Sequence, residues 1–321
     1  MPPLPERAVD SADGAGSAGT RAPQSVSFGE RLHARMRLVR SCVCLGIDPR
    51  PAQHPLTHPE RVGHDPQPVA AAVVDFYRAV LEGSHERLAC VKPQAAFFEA
   101  LGLPGLEALA TLIAAARAYE LPVILDAKRG DIGSTAEAYA EAYLGQPGPW
   151  AADALTVSPY LGPDTLEPFV ARATASGRAV YALVATSNPG AATWQDLPTP
   201  DGRLVHEHVA DHLQALARRH GRYGAVGAVV GATRGERLAA LRARMTDVLL
   251  LVPGFGAQGA SPADVTAAFD SQGMGAVVNA SRSLVPAASA TDLGAVARAA
   301  RTATTAMADA LEAAQSSRGG V

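Results

Sequence analysis

Short apolar runs alternate with longer amphipathic segments along most of the chain. The runs are apolar at consecutive positions, which is typical of strands buried on both faces of a parallel sheet. The segments between them, such as GLEALATLIAAARAYE, have the spacing of helices that cover such a sheet. Eight runs are present, at residues 42–48, 88–92, 122–128, 153–158, 179–185, 224–231, 247–254 and 275–281.

Eight strand–helix units in roughly 250 residues favour a (β/α)8 TIM barrel over an open, doubly wound sheet, which usually has fewer strands. We therefore predict an α/β protein with a single barrel domain over residues 28–314. Residues 1–27 are rich in Pro, Gly, Ala and Ser, and we expect them to form a disordered tail because they bury little apolar surface. Residues 315–321 are predicted to be a loose C-terminal tail.

Composition excludes several classes of function. The formal net charge is −3 and basic residues are mixed with acidic ones, so no nucleic-acid partner is expected. No uninterrupted apolar stretch reaches about 18 residues and no secretory signal is apparent, so we expect no membrane span and a cytoplasmic location. The three cysteines lie in apolar runs, where small buried side chains are expected rather than zinc ligands or disulfides.

Polar side chains follow most of the predicted strands, at the end where barrels carry their chemistry. Taken singly, each charge has a structural explanation, as a turn, a strand end or the start of a helix. The residues at these ends are Asp48, Lys92, Asp126, Lys128, Ser158 and Ser187, followed by the segments PGFGAQGA and NASRS.

Lysine is rare in this chain. Of 28 basic residues only two are lysines, Lys92 and Lys128, and both lie at predicted strand ends. Arginine is a planar fork that stays protonated, whereas lysine is a compact ammonium that can give up a proton to one atom. The alternative is chance in an arginine-rich sequence, but the placement of both lysines favours a chemical role.

Opposite charges alternate around these lysines. Asp126 and Lys128 are two residues apart and point to the same side if the strand continues, and Asp131 and Thr135 follow at the start of the next helix. With Asp48 and Lys92 they could form an alternating ionic array in which each cation keeps its neighbours ionised.

A phosphate site is indicated separately. The loop PGFGAQGA contains Gly256 and is rich in glycine, so its backbone can approach an anion, and barrels often bind phosphate after strands seven and eight. Arg282 follows the eighth strand and could bind a phosphate in a bidentate manner. The alternative is a tight turn with a surface arginine.

The segment DAKRGDIGST resembles the D-x-K-x-x-D-I-x-x-T motif of the orotidine 5'-phosphate decarboxylase family. Other landmarks of that family are matched in the same order by VKPQAAFFE, TSNPG, PGFGAQGA and SRSL. The resemblance extends over about residues 40–290, and the chain length and the KPQAAFFE segment are similar to the longer bacterial group called type 2.

The resemblance implies decarboxylation of orotidine 5'-monophosphate to UMP without a cofactor or a metal. Lys128 would protonate C6 of the pyrimidine, with Asp126 near the substrate carboxylate. The remaining roles implied are ribose contact and charge for Lys92 and Asp48, pyrimidine binding for Ser187, phosphate binding for Gln258 and Arg282 together with the loop of Gly256, and contact with a neighbouring subunit's site for Asp131 and Thr135. The resemblance therefore also implies a homodimer with shared active sites.

Two other hypotheses about the function stay open. Magnesium-dependent relatives that act on sugar phosphates carry the same D-x-K-x-x-D motif, but they need an acidic metal ligand where this chain has Lys92. A non-catalytic barrel that binds a nucleotide as a sensor would need the phosphate and pyrimidine contacts but not the charged array.

Overall fold

The barrel is built from eight parallel strands, one in each of the predicted apolar runs. The computed structural model describes residues 26–145, 148–232, 235–255, 261–285 and 290–318. Nearly every strand residue is buried, as expected for strands covered on both faces. The strands are β1 (Val43–Ile47), β2 (Cys90–Pro93), β3 (Ile124–Arg129), β4 (Ala154–Val157), β5 (Ala179–Ala185), β6 (Val226–Val230), β7 (Leu249–Pro253) and β8 (Ala276–Ala280).

The sheet closes on itself. Hydrogen bonding gives the order β2-β1-β8-β7-β6-β5-β4-β3, so the last strand lies beside the first. The two strands at the ends of this order, β2 and β3, are joined by the bridges Val91–Val123 and Gln94–Asp126. The predicted (β/α)8 barrel is therefore confirmed, and the open doubly wound sheet is excluded.

Helices cover the outside of the barrel between successive strands. The long ones follow the predicted amphipathic segments, while the short ones lie in the loops after β1, β2, β5 and β7. The helices are α1 (Phe28–Val39), α2 (Pro59–Val62), α3 (Pro66–Ser84), α4 (Ala95–Glu99), α5 (Gly102–Ala118), α6 (Gly133–Leu144), α7 (Glu167–Ala175), α8 (Ala191–Gln195), α9 (Val205–His220), α10 (Gly235–Arg244), α11 (Pro262–Val265) and α12 (Leu293–Arg318). None of these described helices is both long and apolar enough to cross a membrane.

Helix α1 lies across the N-terminal end of the barrel. It begins with a capping box between Ser27 and Glu30, and Phe28 is fully buried edge-on to Tyr181 of β5, with ring centroids 6.1 Å apart. Arg31 binds Asp153, just before β4, at 2.8 Å. The site must therefore open at the opposite end, where the strands terminate.

Helix α12 packs against α3 and continues further than predicted. A Cβ added at Gly83 of α3 would lie 1.9 Å from the carbonyl oxygen of Ala297, so the two helices approach closely. The helix runs to Arg318, so residues 315–318 of the segment predicted to be loose are helical. Gln315 helps to fix this end because its amide lies 3.7 Å from Cys42 Sγ.

The three cysteines are free and buried, as expected. Burial raises the pKa of the Cys42 thiol to about 12, so this side chain is a packing residue rather than a nucleophile.

Candidate active site

The centre of the site is the carboxylate of Asp126, which lies on β3 and is almost completely buried. Each of its oxygens accepts two hydrogen bonds. Oδ1 accepts from Lys128 Nζ at 2.6 Å and from Thr156 Oγ1 at 2.9 Å. Oδ2 accepts from Lys92 Nζ and Gln94 Nε2, both at 2.9 Å. The donors come from β2, β3, β4 and the residue after β2, so the carboxylate joins neighbouring strands.

The charges in this cluster are mutually stabilised. Burial would raise the pKa of the Asp126 carboxyl, but Lys92 and Lys128 outweigh burial and hold that pKa well below its usual value. Burial would lower the pKa of Lys92, but Asp126 and Asp48 outweigh it and hold that pKa above its usual value. The site therefore carries a fixed anion and at least one fixed, buried cation near neutral pH.

Lys128 differs from Lys92 in exposure and in backbone conformation. The Lys128 side chain is 45% exposed and lines the cavity, whereas that of Lys92 is 6% exposed. Lys128 has φ of +49°, a left-handed conformation that costs a non-glycine residue about 1–3 kcal/mol. Its N–H donates to Thr156 Oγ1 at 2.9 Å, at the point where the β3–β4 register shifts. Thr156 thus holds both the backbone of Lys128 and the carboxylate that its ammonium contacts.

A cavity of about 550 Å³ opens above this cluster, within the usual range for small-molecule sites. Asp48, Lys92, Asp126 and Lys128 all contribute to its wall. Asp48 Oδ1 is buried and has no hydrogen-bond partner among the described residues, so a ligand hydroxyl could satisfy it.

Ser187 and Arg282 line other parts of the same cavity. Ser187 follows β5, and Arg282 follows β8 and is exposed, with no ion pair to any residue in the described ranges. Gly254, which directly follows β7 and lines the same cavity, has φ of +102°, a conformation that favours glycine. Gly256 and Gln258, predicted to bind phosphate, lie outside the described residues.

The predicted array is not completed within one chain. Asp131 lies two residues before α6 and Thr135 lies in its first turn, both outside the cavity wall. Among the hydrogen bonds of the described residues, Asp131 Oδ1 accepts only from the N–H of Ile132, at 2.8 Å. Ile132 is 63% exposed. Within a single chain, the structure brings together Asp48, Lys92, Asp126 and Lys128 but not Asp131 or Thr135.

Two residues of the cluster were not predicted. Thr156 lies in an apolar run, where a β-branched residue is explained by strand packing alone. Gln94 is two residues after Lys92, a spacing that could have identified it because side chains two apart on a strand share a face.

A (β/α)8 barrel with a buried carboxylate held between a buried and an exposed lysine, at the C-terminal ends of its strands, defines a barrel enzyme with a charged active site. The family model described as "Orotidine 5'-phosphate decarboxylase / HUMPS family" matches residues 41–300. The chain belongs to this family.

Individual proteins support the assignment. An orotidine 5'-phosphate decarboxylase from Rhodopirellula baltica is 47% identical over 268 residues, covering 81% of this chain and 88% of the relative. One from Deinococcus radiodurans is 45% identical over 278 residues, covering 85% and 94%. The structure of Leishmania donovani OMP decarboxylase matches with a TM-score of 0.72 and 36% identity, covering 90% of this chain and 99% of that one.

Proposed function

We propose that this protein decarboxylates orotidine 5'-monophosphate to UMP and CO2, the last step of pyrimidine nucleotide synthesis, without a cofactor and in the cytoplasm. The family assignment and the names of the relatives support the reaction. The observation that carries the proposal is the buried Asp126 carboxylate held between Lys92 and an exposed Lys128.

The chemistry requires fixed charge. When the bond from C6 to the carboxylate breaks, CO2 leaves and the electron pair stays on C6, where the ring provides no electron sink. Charges set in place before the reaction stabilise such a carbanion without reorganisation cost. In our proposal Lys128 faces C6 and donates the proton that forms the new C–H bond, and solvent then reprotonates its amine.

Asp126 would lie near the substrate carboxylate, whose repulsion is relieved as CO2 departs. Its four hydrogen bonds fit this role because they keep the carboxylate ionised and fixed in position. Asp126 is therefore assigned no proton transfer.

The rest of the cavity accounts for the nucleotide. We assign the ribose to Asp48 and Lys92, since Asp48 Oδ1 lacks a partner among the described residues. Ser187 would bind the pyrimidine, and Arg282 with the loop of Gly256 and Gln258 would bind the phosphate. Closure of that loop would let phosphate binding help to assemble the site.

We further propose a homodimer in which Asp131 and Thr135 complete the partner's site. Two observations support this: both residues lie outside the cavity of their own chain, and the apolar side chain between them, Ile132, is exposed. A carboxylate supplied by the partner would extend the alternating array beyond Lys128.

The family also includes magnesium-dependent enzymes that act on sugar phosphates, and the residues here do not fit that chemistry. Mg²⁺ binds oxygen ligands, whereas β2 presents the Lys92 ammonium, and both oxygens of Asp126 are already occupied by donors. We therefore assign no step to a metal.

The direct test is the absorbance change of orotidine monophosphate with purified protein, with and without a chelator. We expect turnover that the chelator does not affect; metal-dependent turnover would support the sugar-phosphate relatives, and tight UMP binding without turnover would support a sensor. Lys128→Ala should lose nearly all turnover but still bind UMP, and a variant with most of its kcat would exclude Lys128 as proton donor.

Shared sites are tested by mixing inactive Lys128→Ala and Asp131→Ala subunits. A mixed dimer has one site with both residues intact, so activity should partly return after exchange of subunits. Mixtures as inactive as the parents would contradict the shared site.

A further inference from the structure

The segment after β5 contains a glutamine that holds the cavity wall without lining the cavity. Gln195, the last residue of α8, accepts the N–H of Thr186 through Oε1 at 2.9 Å and donates from Nε2 to Thr186 Oγ1 at 2.8 Å. Because a backbone N–H can only donate, this pair of contacts fixes the orientation of the amide. Thr186 directly precedes Ser187, which lines the cavity.

The same contacts extend past Ser187. Thr186 Oγ1 donates to Asn188 Oδ1 at 2.6 Å. The hydrogen bonds of Gln195 therefore reach the residue before Ser187 directly and the residue after it through the Thr186 hydroxyl. On its other side Ser187 packs on Gly231, where an added Cβ would lie 3.1 Å from Ser187 Cβ. Ser187 is thus held between the Gln195 network and the end of β6.

Gln195 is itself anchored to the helical shell. Its backbone carbonyl oxygen lies 2.8 Å from Nδ1 of the buried His206 on α9. Because a carbonyl oxygen only accepts, this ring nitrogen carries the proton. The next residue, Asp196, pairs with Arg237 of α10 at 2.7 Å. Because α9 and α10 pack against the barrel, the amide of Gln195 has a fixed position from which to hold the Ser187 backbone.

We propose that Gln195 is a positioning residue that sets the recognition of the pyrimidine through Ser187. The inference rests on the proposed function, in which Ser187 hydrogen-bonds the base. Without the Gln195 amide, the Thr186 peptide loses its partner and can rotate, and Ser187 rotates with it. Loss of the Gln195 amide should therefore weaken the contacts with the base. The phosphate and ribose contacts should be unaffected, because the residues assigned to them lie on or after other strands.

The test compares two ligands, UMP and ribose 5-phosphate, which lacks the base, by calorimetric titration. We expect Gln195→Ala to weaken UMP binding by about tenfold, which corresponds to the loss of roughly one or two hydrogen bonds. The affinity for ribose 5-phosphate should be nearly unchanged. Equal weakening of both ligands, or no weakening of either, would overturn the proposal.

A double-mutant cycle tests the route through Ser187. If Gln195 acts through that residue, Ser187→Ala and the double variant should bind UMP about equally weakly, because the second change removes nothing further. Additive losses would overturn the inference. A Ser187→Ala variant with unchanged UMP affinity would refute the proposed pyrimidine contact, and with it the inference, whatever Gln195→Ala does.

Two further variants separate positioning from folding. Gln214 on α9 makes the same kind of paired contacts, with Asp247 at 2.6 and 3.0 Å, but lies outside the cavity wall, so Gln214→Ala should lower stability without changing UMP affinity. If Gln195→Ala does not fold, Thr186→Val removes only the hydroxyl that links Gln195 to Asn188. It should give the same selective loss of UMP affinity, and a normal UMP affinity would contradict the proposal.

Discussion

Thr156→Val removes one hydroxyl while keeping the size and the β-branched shape of the side chain. The residue is 1% exposed, so its hydroxyl has little contact with water. Its Oγ1 donates to Asp126 Oδ1 and accepts the N–H of Lys128, both at 2.9 Å. The substitution therefore removes one hydrogen bond to a charged group and leaves one backbone N–H without its partner.

The magnitude follows from these two losses. A hydrogen bond to a charged group contributes about 1.5–3 kcal/mol, and an unsatisfied buried N–H costs about 1–3 kcal/mol. Because the two losses occur at one site, they are not fully additive. We therefore expect the free energy of unfolding to fall by about 3 kcal/mol relative to the wild type. Lys128 also loses the contact that holds its left-handed backbone, and a misplaced ammonium should lower kcat by about a hundredfold.

The assay measures kcat for decarboxylation. The UMP dissociation constant and the free energy of unfolding in urea are measured on the same variants. Thr156→Ser is the matched control, since it retains the hydroxyl and should retain most of the turnover. A Thr156→Val enzyme with the wild-type kcat would refute the idea that this hydroxyl fixes Lys128.

Three further predictions concern stability. Lys92→Met removes one cation from a buried pair and should lower the free energy of unfolding by about 3 kcal/mol or more; urea unfolding measures this, and an unchanged midpoint would contradict it. The pKa of Asp126 is lower in the folded than in the unfolded state. Its contribution to stability is therefore complete at pH values above the unfolded-state pKa, and it is lost as the pH falls toward the folded-state pKa. The difference in unfolding free energy between wild type and Asp126→Asn should thus be constant near pH 5–6 and shrink below about pH 3.9; a difference independent of acid would be evidence against the depressed pKa. Phe28→Ala should cost about 3–5 kcal/mol by emptying the space beside Tyr181, with Phe28→Leu as the milder control, and equal midpoints for the two would argue against this packing.

The fold was predictable because its signal is repeated. Each strand is an apolar run of its own, and eight of them left few architectures to consider. The convergence of Lys92, Asp126 and Lys128 was predictable for the same reason, since parallel strands in a barrel end on one face. The helical continuation of α12 to Arg318 was missed because its last turn is polar and depends on contacts such as that of Gln315 with Cys42.

Other features of the site depend on contacts between distant parts of the chain. The left-handed backbone of Lys128 coincides with the register shift against β4, which strand composition does not reveal. The role of Thr156 needs the neighbouring strand in place, and that of Gln195 needs α8 folded back on the end of β5. The partner contacts of Asp131 and Thr135 remain predictions.

The four donors around Asp126 limit how this active site can be changed by evolution or by engineering. Two lysines, a glutamine and a threonine, supplied by β2 and the residue after it, β3 and β4, all donate to one carboxylate. Replacing any one of them therefore changes the free-energy contribution of the other three. Single-residue libraries at these positions would therefore contain mostly inactive enzymes. A route to a new specificity would have to change positions 92, 94, 126, 128 and 156 as one unit, or leave all of them intact and vary the cavity wall instead.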